Sequence, residues 1–282
     1  MPITDTPLRY PGGKTKLYKK ISTLINLNMN KKNCIYVEPF AGGSGLALRL
    51  LFRENVDYLV LNDIDYGIYS FWNSCLNHTD ELCQMINDCN ITIENWNIQK
   101  AIYNSPKTFS KLQVGFATFF LNRCNVSGVI KGGVIGGIDQ HGKYKIDARF
   151  NKDELINKIQ KIGQYRDRIE FLNMDADIFL RNRLSMYNCT DLFLNIDPPY
   201  VKKGAMLYEN SFNLNDHTQL FNTIQSLDYN YKWVVTYDEC DFISSLYHNF
   251  RQEIITLNYS AGKTKSGNEY IIYGNSISIP DA

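Results

Sequence analysis

One stretch near the N-terminus constrains the fold more than any other part of the chain. It opens with the apolar, β-prone run Cys34 to Glu38, continues through the glycine-rich Pro39 to Gly45, and becomes apolar again from Leu46 to Phe52. A second β-prone run, Tyr58 to Asn62, follows and ends at the acidic Asp63-Ile64-Asp65. This order predicts strand, glycine turn, helix and strand, which is the first βαβ unit of a parallel sheet.

The same alternation returns in the second half of the chain, after a charged helix predicted near Lys152 to Tyr165. Further strands are predicted at 169–172, 192–196, 232–236, 252–257 and 270–273. We therefore expect an α/β protein with a Rossmann-like, mostly parallel seven-stranded sheet, formed by residues 1–71 together with residues 156–282.

The intervening residues 72–155 do not continue the βαβ rhythm and are predicted to form an inserted domain. Their first part is helical in pattern and rich in aromatic residues, and glycine becomes dense between residues 128 and 150. Gln140-His141-Gly142-Lys143 is predicted to turn a β-hairpin that leads into Tyr144-Lys145-Ile146. The insert is therefore expected to be helical and to carry a β-hairpin.

Length and composition exclude several classes of protein. No apolar run is long enough to cross a bilayer, and Met1 to Asp5 lacks the features of a secretory signal, so we expect a cytoplasmic protein with no membrane role. The seven cysteines contain no C-x-x-C pair, so neither a disulfide framework nor a metal site is expected. A net charge of +1 gives no indication of the partner, since nucleic-acid binders are usually recognised by a basic balance or face.

The glycine-rich loop from Glu38 to Gly45 predicts a nucleotide site. Glycine lacks Cβ, so the backbone of such a loop can approach a ligand closely at the edge of a parallel sheet. Asp63 and Asp65 end the next strand, where a carboxylate can accept hydrogen bonds from both ribose hydroxyls. No Gly-Lys-Ser/Thr ends the loop, which excludes a P-loop. The loop alone leaves nicotinamide and S-adenosylmethionine cofactors equally open.

The motif Asp197-Pro198-Pro199-Tyr200 separates these cofactors. Asp197 ends a predicted strand beside the ligand crevice, and the two prolines make the following backbone rigid. The amino nitrogen of adenine is a poor nucleophile because its lone pair is delocalised into the ring. A carboxylate and a backbone carbonyl that accept its hydrogen bonds would offset the charge that develops as it attacks a sulfonium methyl group. Tyr200 would stack on a base extruded from the duplex.

The motifs, taken in this order, resemble those of the Dam-type, D12-class (group alpha) N6-adenine DNA methyltransferases. The resemblance covers nearly the whole chain, beginning with Leu8-Arg9-Tyr10-Pro11-Gly12-Gly13-Lys14. It implies the fold of S-adenosylmethionine-dependent methyltransferases and the catalytic residues Asp197, Pro198, Pro199 and Tyr200. The cofactor-binding residues that it implies are Tyr10, Lys14, Glu38, Pro39, Phe40, Gly42, Gly43, Gly45, Asp63 and Asp175. For the contact with the cofactor adenine, Asp177 is the alternative to Asp175.

The insert also resembles the family, in the run from Phe120 to Gly128. In Dam-type enzymes this region carries target recognition, which implies contacts to phosphates and base edges of DNA. The DNA-binding residues implied here are Asn122, Arg123, Lys131, His141, Lys143, Lys145 and Arg149. Asn122 and Arg123 have a structural alternative, in which they hold the insert in place. Thr236-Tyr237-Asp238 ends a strand where the family often places residues near the target base, with a strand-end cap as the alternative.

These observations predict a site-specific adenine methyltransferase that acts on double-stranded DNA by base flipping, without a metal. A cognate restriction endonuclease that acts separately is a possible partner. The alternatives are an RNA or protein amide methyltransferase, which shares the Asp/Asn-Pro-Pro-Tyr/Phe motif, and a DNA-binding regulator with an inactive site. A nicotinamide oxidoreductase ranks behind them. The recognition sequence is not predicted, because the segment around His141 departs from enzymes that recognise GATC.

Overall fold

A seven-stranded mixed sheet is the central element of the computed structural model, which describes residues 4–10, 13–30, 32–201, 212–227, 229–259 and 265–280. The strands are β1 (Ile35–Glu38), β2 (Tyr58–Asn62), β3 (Ile169–Leu172), β4 (Leu192–Ile196), β5 (Lys232–Asp238), β6 (Arg251–Tyr259) and β7 (Lys265–Tyr273). Their order across the sheet is β3-β2-β1-β4-β5-β7-β6. Pro11 and Gly12 of the first predicted motif lie outside the described residues.

The pairing of the strands confirms the α/β class and corrects its details. β1 pairs in parallel with β2 and with β4, and β4 pairs in parallel with β5. β7 is antiparallel to both β5 and β6. The sheet is therefore mixed, because the last two strands pair with each other as a hairpin and β7 returns beside β5 in the opposite direction. Both strands are also longer than the predicted ranges 252–257 and 270–273.

Ten α-helices are described. They are α1 (Tyr18–Asn28), α2 (Gly45–Phe52), α3 (Tyr66–Asn77), α4 (Thr79–Asp88), α5 (Ile93–Asn104), α6 (Lys111–Cys124), α7 (Lys152–Gln164), α8 (Ala176–Asn182), α9 (Leu214–Ser226) and α10 (Asp241–Leu246). None of these described helices is long and apolar enough to cross a membrane.

The chain divides into two compact units. The first contains residues 1–13 and 63–173, and the second contains residues 14–62 and 174–282. The predicted insert, 72–155, falls within the first unit, and its bounds as a recognition domain remain a prediction.

The second unit has its core in strands that are mostly apolar and are buried along nearly their whole length. Every residue of β4 is buried, and Tyr36 and Val37 of β1 are fully buried. A strand that is buried on both faces reads as a continuous apolar run, which is typical of parallel sheets. This pattern is why β1, β2 and β4 could be located from the sequence.

The first unit is built around close packing of α3 on α6. Gly115 in α6 permits this approach, because a Cβ there would lie 2.6 Å from the backbone oxygen of Ser70 in α3. Phe71 and Phe119 stack with their ring centroids 5.6 Å apart. The start of α6 is fixed by a capping box between Ser110 and Gln113. Most aromatic residues of the predicted insert are buried in this core, whereas Phe109 is exposed.

The predicted β-hairpin in the insert is wrong. Residues 125–150, all of which are described, form a short 3-10 helix, Val126–Gly128, and turns, with one isolated bridge between Asn125 and Val134. The side chain of Gln140 explains the difference: its Nε2 donates to the oxygen of Ile135 and its Oε1 accepts from the nitrogen of Ile146. These backbone groups thereby bond to a side chain instead of to a second strand.

Candidate active site

The glycine loop follows β1 directly and is held by a buried asparagine. Gly42 and Ser44 both adopt the left-handed conformation, with φ of 47° and 45°. Asn62 at the end of β2 is fully buried, and its Nδ2 donates to the oxygens of Pro39 and Met174, each at 3.0 Å. Its Oδ1 accepts from the nitrogen of Met174 at 2.9 Å. One side chain thus joins the loop to the segment before α8.

A buried lysine lies at the centre of the predicted catalytic residues. Lys14 begins a short 3-10 helix, Lys14–Leu17, and is only 7% exposed. Its Nζ lies 3.0 Å from Asp197 Oδ2 and donates a hydrogen bond to the Tyr200 hydroxyl. The same ammonium is 4.7 Å from the centroid of the Tyr200 ring. Lys14, Asp197 and Tyr200, which were predicted from separate motifs, therefore meet at one place.

The other oxygen of Asp197 is bonded to strand β5. Thr236 Oγ1 donates to Asp197 Oδ1 at 2.6 Å. Two residues further along β5, Asp238 Oδ1 accepts from the nitrogen of Val201 at 3.1 Å. The catalytic segment is thus anchored at its first side chain and again just after Tyr200.

Two further carboxyl groups contribute to the electrostatics of this cluster. Burial raises the pKa of the Glu38 carboxyl to about 8, and the charge of Asp197 adds to this rise. The hydrogen bond from the Tyr36 hydroxyl, at 3.0 Å, and the charge of Lys14 oppose it. Glu269 of β7 is fully buried, and its Oε2 lies 3.8 Å from Lys14 Nζ. Acidic side chains from β1, from the end of β4 and from β7 therefore lie around Lys14.

Sequence reasoning missed Glu269 and the tie made by Asn62. Glu269 directly precedes the apolar run from Tyr270 to Tyr273. A charged residue beside a buried strand is the sequence signal that could have identified it. Asn62 directly precedes Asp63, the predicted ribose-binding acid. Nothing in the local sequence indicates which backbone groups its amide would reach.

The alternatives Asp175 and Asp177 differ in their surroundings. Asp175 is exposed and caps α8, with its Oδ1 accepting from the nitrogens of Asp177 and Ile178. Asp177 accepts hydrogen bonds from Arg181 and Thr223, and these bonds lower its pKa against the opposing effect of burial. Ile178, whose nitrogen donates to Asp175, is exposed. The contact of Asp175 with the cofactor adenine remains a prediction, with Asp177 as its alternative.

In the first unit, the two acidic residues after β2, Asp63 and Asp65, also differ in their contacts. Asp65 caps α3 through Oδ1 and accepts the Tyr103 hydroxyl on Oδ2 at 3.1 Å, so both of its oxygens have structural partners. Asp63 is partly exposed, and its Oδ1 accepts from the nitrogen of Asp65 at 2.9 Å. Tyr10 is also partly exposed. Cofactor contacts by Asp63 and Tyr10 remain predictions.

The structure corrects the expected DNA contact of Asn122. This side chain is fully buried, so it has no surface with which to reach a phosphate or a base. Its Oδ1 accepts from the nitrogen of Arg9 at 2.8 Å, and its Nδ2 donates to the oxygens of Arg9 and Gly128. Asn122 therefore pairs with the backbone of the N-terminal segment, which is the structural alternative.

Arg123 is also largely engaged by backbone groups. Its guanidinium donates to the oxygens of Arg149 and Pro7. Burial, together with the charges of the nearby Arg9 and Arg149, lowers the pKa of Arg123 to about 10. The three arginines thus form a concentration of positive charge, although the contacts of Arg123 favour a structural role.

The remaining predicted DNA-binding residues lie on the surface of the turn-rich segment 129–150. Lys131, His141, Lys143 and Lys145 are exposed, and Arg149 is partly exposed. The exposed Tyr144 ring has the Lys143 ammonium 5.8 Å and the Arg149 guanidinium 5.5 Å from its centroid. The segment offers cations beside an aromatic surface, which suits nucleic acid, and these contacts remain predictions.

The glycine loop and the carboxylate cluster on a largely parallel sheet define a nucleotide-binding α/β enzyme. A sequence profile of the D12 class N6 adenine-specific DNA methyltransferases matches residues 10–260. The chain belongs to this family. It is therefore an adenine-specific DNA methyltransferase that uses S-adenosylmethionine as its methyl donor, and this membership decides against the RNA, protein and nicotinamide alternatives.

Two type II methyltransferases are similar to this chain at low sequence identity. The type II methyltransferase M.MjaIII of Methanocaldococcus jannaschii is 22% identical over 228 residues, covering 76% of each chain. The type II methyltransferase M.CviBI of Paramecium bursaria Chlorella virus NC1A is 20% identical over 258 residues, covering 86% of each chain.

Solved structures similar to this one include two methyltransferases. The rRNA methyltransferase AviRa of Streptomyces viridochromogenes has a TM-score of 0.40 and 9% identity, over 95% of this chain and 87% of that chain. A SAM-dependent methyltransferase from Agrobacterium tumefaciens has a TM-score of 0.43 and 10% identity, over 92% of this chain and 62% of that chain.

Proposed function

We propose that the chain is a Dam-type, site-specific methyltransferase of duplex DNA that extrudes its target adenine and presents the N6 amino group to Asp197. The observation that carries this proposal is the position of the Asp197 carboxylate at the end of β4. It is held on Oδ2 by Lys14, at 3.0 Å, and on Oδ1 by Thr236, at 2.6 Å. Two prolines and the partly exposed Tyr200 follow it.

The Asp197 carboxylate can still accept a hydrogen bond from the substrate while it is bonded to Lys14 and Thr236. An ionised carboxylate has about four lone-pair positions, and Lys14 and Thr236 each use one. Asp197 is therefore able to accept a hydrogen bond from N6, and its charge offsets the positive charge that forms on the nitrogen during attack. The other hydrogen atom on N6 is donated to a backbone carbonyl of the Pro198-Pro199 pair. The proton that N6 finally loses passes to Asp197 or to water.

The described residues fit the methyl donor. Glycine in the left-handed conformation at Gly42 permits close approach of a ligand to the backbone. The exposed Asp175 carboxylate beside the exposed Ile178 offers a polar and an apolar contact for a purine. When bound, S-adenosylmethionine supplies the methyl group as a sulfonium electrophile. Asp197 provides a carboxylate near which positive charge is favoured.

We assign DNA binding to the turn-rich segment 129–150. Lys131, His141, Lys143, Lys145 and Arg149 contact phosphates or base edges, while Asn122 and Arg123 support the segment from within. The surface cations and the nearby arginine concentration support this assignment, because phosphate contacts dominate affinity for DNA. Tyr200 stacks on the extruded adenine, and its partial exposure supports this role.

The relatives suggest the biological setting. Both are type II methyltransferases, and we propose that this enzyme likewise modifies the site of a separate restriction endonuclease in the cytoplasm. A host that carries the enzyme would then have DNA that resists cleavage by that endonuclease. The predicted recognition insert at 72–155 and the two catalytic segments, 1–71 and 156–282, complete the proposed organisation.

The test is expression in a bacterium without DNA methylation, followed by single-molecule sequencing of its genome. We expect N6-methyladenine at one short sequence and its loss with Asp197→Ala. The purified variant should bind S-adenosylmethionine within about threefold of wild type, because Asp197 acts on the acceptor nitrogen. Retention of N6-methyladenine by the Asp197→Ala variant would overturn the assigned role of Asp197, and scattered methylation would overturn site specificity.

A further inference from the structure

Strand β5 places two buried polar side chains against the two ends of the catalytic segment. Thr236 and Asp238 are two residues apart, so they point to the same face of the sheet. Thr236 is fully buried and Asp238 is 3% exposed. Tyr237, between them, lies with its hydroxyl 2.9 Å from Nδ1 of the buried His217.

The two contacts bracket Pro198-Pro199-Tyr200. On one side, Thr236 Oγ1 donates to Asp197 Oδ1 at 2.6 Å. On the other, the nitrogen of Val201 donates to Asp238 Oδ1 at 3.1 Å. β5 itself is fixed in the sheet, because it pairs in parallel with β4 and in antiparallel with β7.

We propose that Thr236 and Asp238 form a β5 clamp that positions the catalytic carboxylate and the base-stacking tyrosine relative to each other. This inference rests on the proposed role of Asp197 and Tyr200. Thr236 fixes the rotation of the Asp197 carboxylate, and Asp238 fixes the backbone immediately after Tyr200. Both are positioning residues, since they act through Asp197 and Val201.

The chemistry of the segment explains why it needs external anchors. Proline has no backbone N–H, so Pro198 and Pro199 cannot donate hydrogen bonds that would hold the segment. The terminal torsion of an aspartate has a broad, shallow preference, so its carboxylate rotates easily unless it is bonded. Thr236 and Lys14 hold its two oxygens from different elements, and Asp238 receives one of the few amide hydrogens that the segment offers.

Positioning of this kind has a recognisable effect on kinetics. A misplacement of about 1 Å at a reacting group can lower the rate by about a hundredfold. Loss of the clamp should therefore slow the methyl-transfer step and leave ground-state binding of cofactor and DNA little changed. A purely structural role would instead lower stability and weaken binding together.

The first test compares Thr236→Val, which removes the hydroxyl, with Thr236→Ser, which retains it. We expect the single-turnover rate of methyl transfer to fall about 10- to 100-fold for Thr236→Val and to stay within about threefold for Thr236→Ser. Affinities for S-adenosylmethionine and for an unmethylated duplex should stay within about threefold in both. Thr118→Val is the matched control, because Thr118 is a fully buried threonine whose hydroxyl bonds to Val114 within α6.

The second test applies the same logic to Asp238. Asp238→Asn keeps an oxygen that accepts from Val201, whereas Asp238→Ala removes it. We expect a rate loss of at least about tenfold with alanine and a smaller loss with asparagine, again with little change in binding. Fluorescence of 2-aminopurine at the target position should report normal base extrusion in the Thr236 variants and a changed signal in Asp238→Ala.

The outcomes separate the clamp from the proposed function. If Asp197→Ala is inactive and Thr236→Val reacts at the wild-type rate, the clamp is wrong and the role of Asp197 stands. If Thr236→Ser loses as much rate as Thr236→Val, or if the rate losses follow losses of binding, hydroxyl positioning is also refuted. If Asp197→Ala remains active, the proposed function itself fails.

Discussion

Lys14 Nζ lies 3.0 Å from Asp197 Oδ2, and the lysine is almost completely buried. A buried ammonium needs a charged partner, because an unpaired charge away from water is costly. Here the partner is the carboxylate that we assign to the reacting nitrogen, and the Tyr200 hydroxyl accepts from the same ammonium. The lysine of the N-terminal motif therefore belongs to the catalytic cluster as well as to the predicted cofactor site.

Replacing Lys14 by methionine should destabilise the protein and reduce methyl transfer. Removing one partner of a fully buried ion pair typically costs about 3 to 5 kcal/mol, and the loss here should be smaller because the Asp197 side chain is 24% exposed. Urea unfolding measures the stability, and a single-turnover assay measures the rate. In a double-mutant cycle with Asp197→Asn, the two stability losses should be less than additive by about 1 kcal/mol or more. Full additivity would show that the two charges do not interact.

Glu38 should make stability depend on pH. Burial raises its pKa in the folded state from 4.5 to about 8, so the folded protein keeps a proton that the unfolded chain releases. This contribution to stability is complete below pH 4.5 and is lost as the pH rises to about 8. The Tm of wild type should therefore fall relative to that of Glu38→Gln across this range, in the absence of cofactor.

The control for Glu38 is the same substitution at an exposed glutamate. Glu54→Gln, on the surface after α2, is measured over the same pH range, and the change in Tm difference with pH should be larger for Glu38→Gln than for Glu54→Gln. A constant difference between wild type and Glu38→Gln would mean that Glu38 is ionised in the folded state throughout.

Asn62 should be the most sensitive asparagine in the second unit. Asn62→Ala removes three buried hydrogen bonds to Pro39 and Met174 and leaves their backbone groups without these partners. We expect a loss of about 3 kcal/mol in the free energy of unfolding and weaker binding of S-adenosylmethionine, because the glycine loop loses its tie. The exposed Asn77, changed in the same way, should cost less than about 0.5 kcal/mol. Equal effects at the two positions would refute the tie.

The surface lysines of segment 129–150 should set the salt dependence of DNA binding. Lys143→Ala should weaken binding to all sequences and reduce the slope of log K against log salt by about 1, as expected for one lost phosphate contact. Lys107→Ala removes an equally exposed lysine elsewhere in the first unit and serves as the control. A reduced slope for Lys107→Ala together with an unchanged slope for Lys143→Ala would show that DNA binds to another surface.

Much of the fold was predictable because its signals are local. The apolar runs of β1, β2 and β4 and the glycines after β1 specify strands and a turn through burial and backbone freedom, which act over a few residues. The prediction that was wrong also has a physical cause. The hairpin around His141 was predicted from turn residues, but the Gln140 side chain takes the backbone groups of Ile135 and Ile146 that a strand pair would have joined.

The chemistry of the Asp197-Pro198-Pro199-Tyr200 segment, its place at a strand end and the family of the chain could all be read from the amino-acid sequence. The three-dimensional fold was needed to show that Lys14 and Thr236 bond to Asp197, that Glu269 lies beside Lys14 and that Asn122 is buried. The reason is that local periodicity sets which face a side chain takes. Which distant residues meet depends on the order β1-β4-β5-β7 of the strands, which brings residues from three regions of the chain to one edge of the sheet.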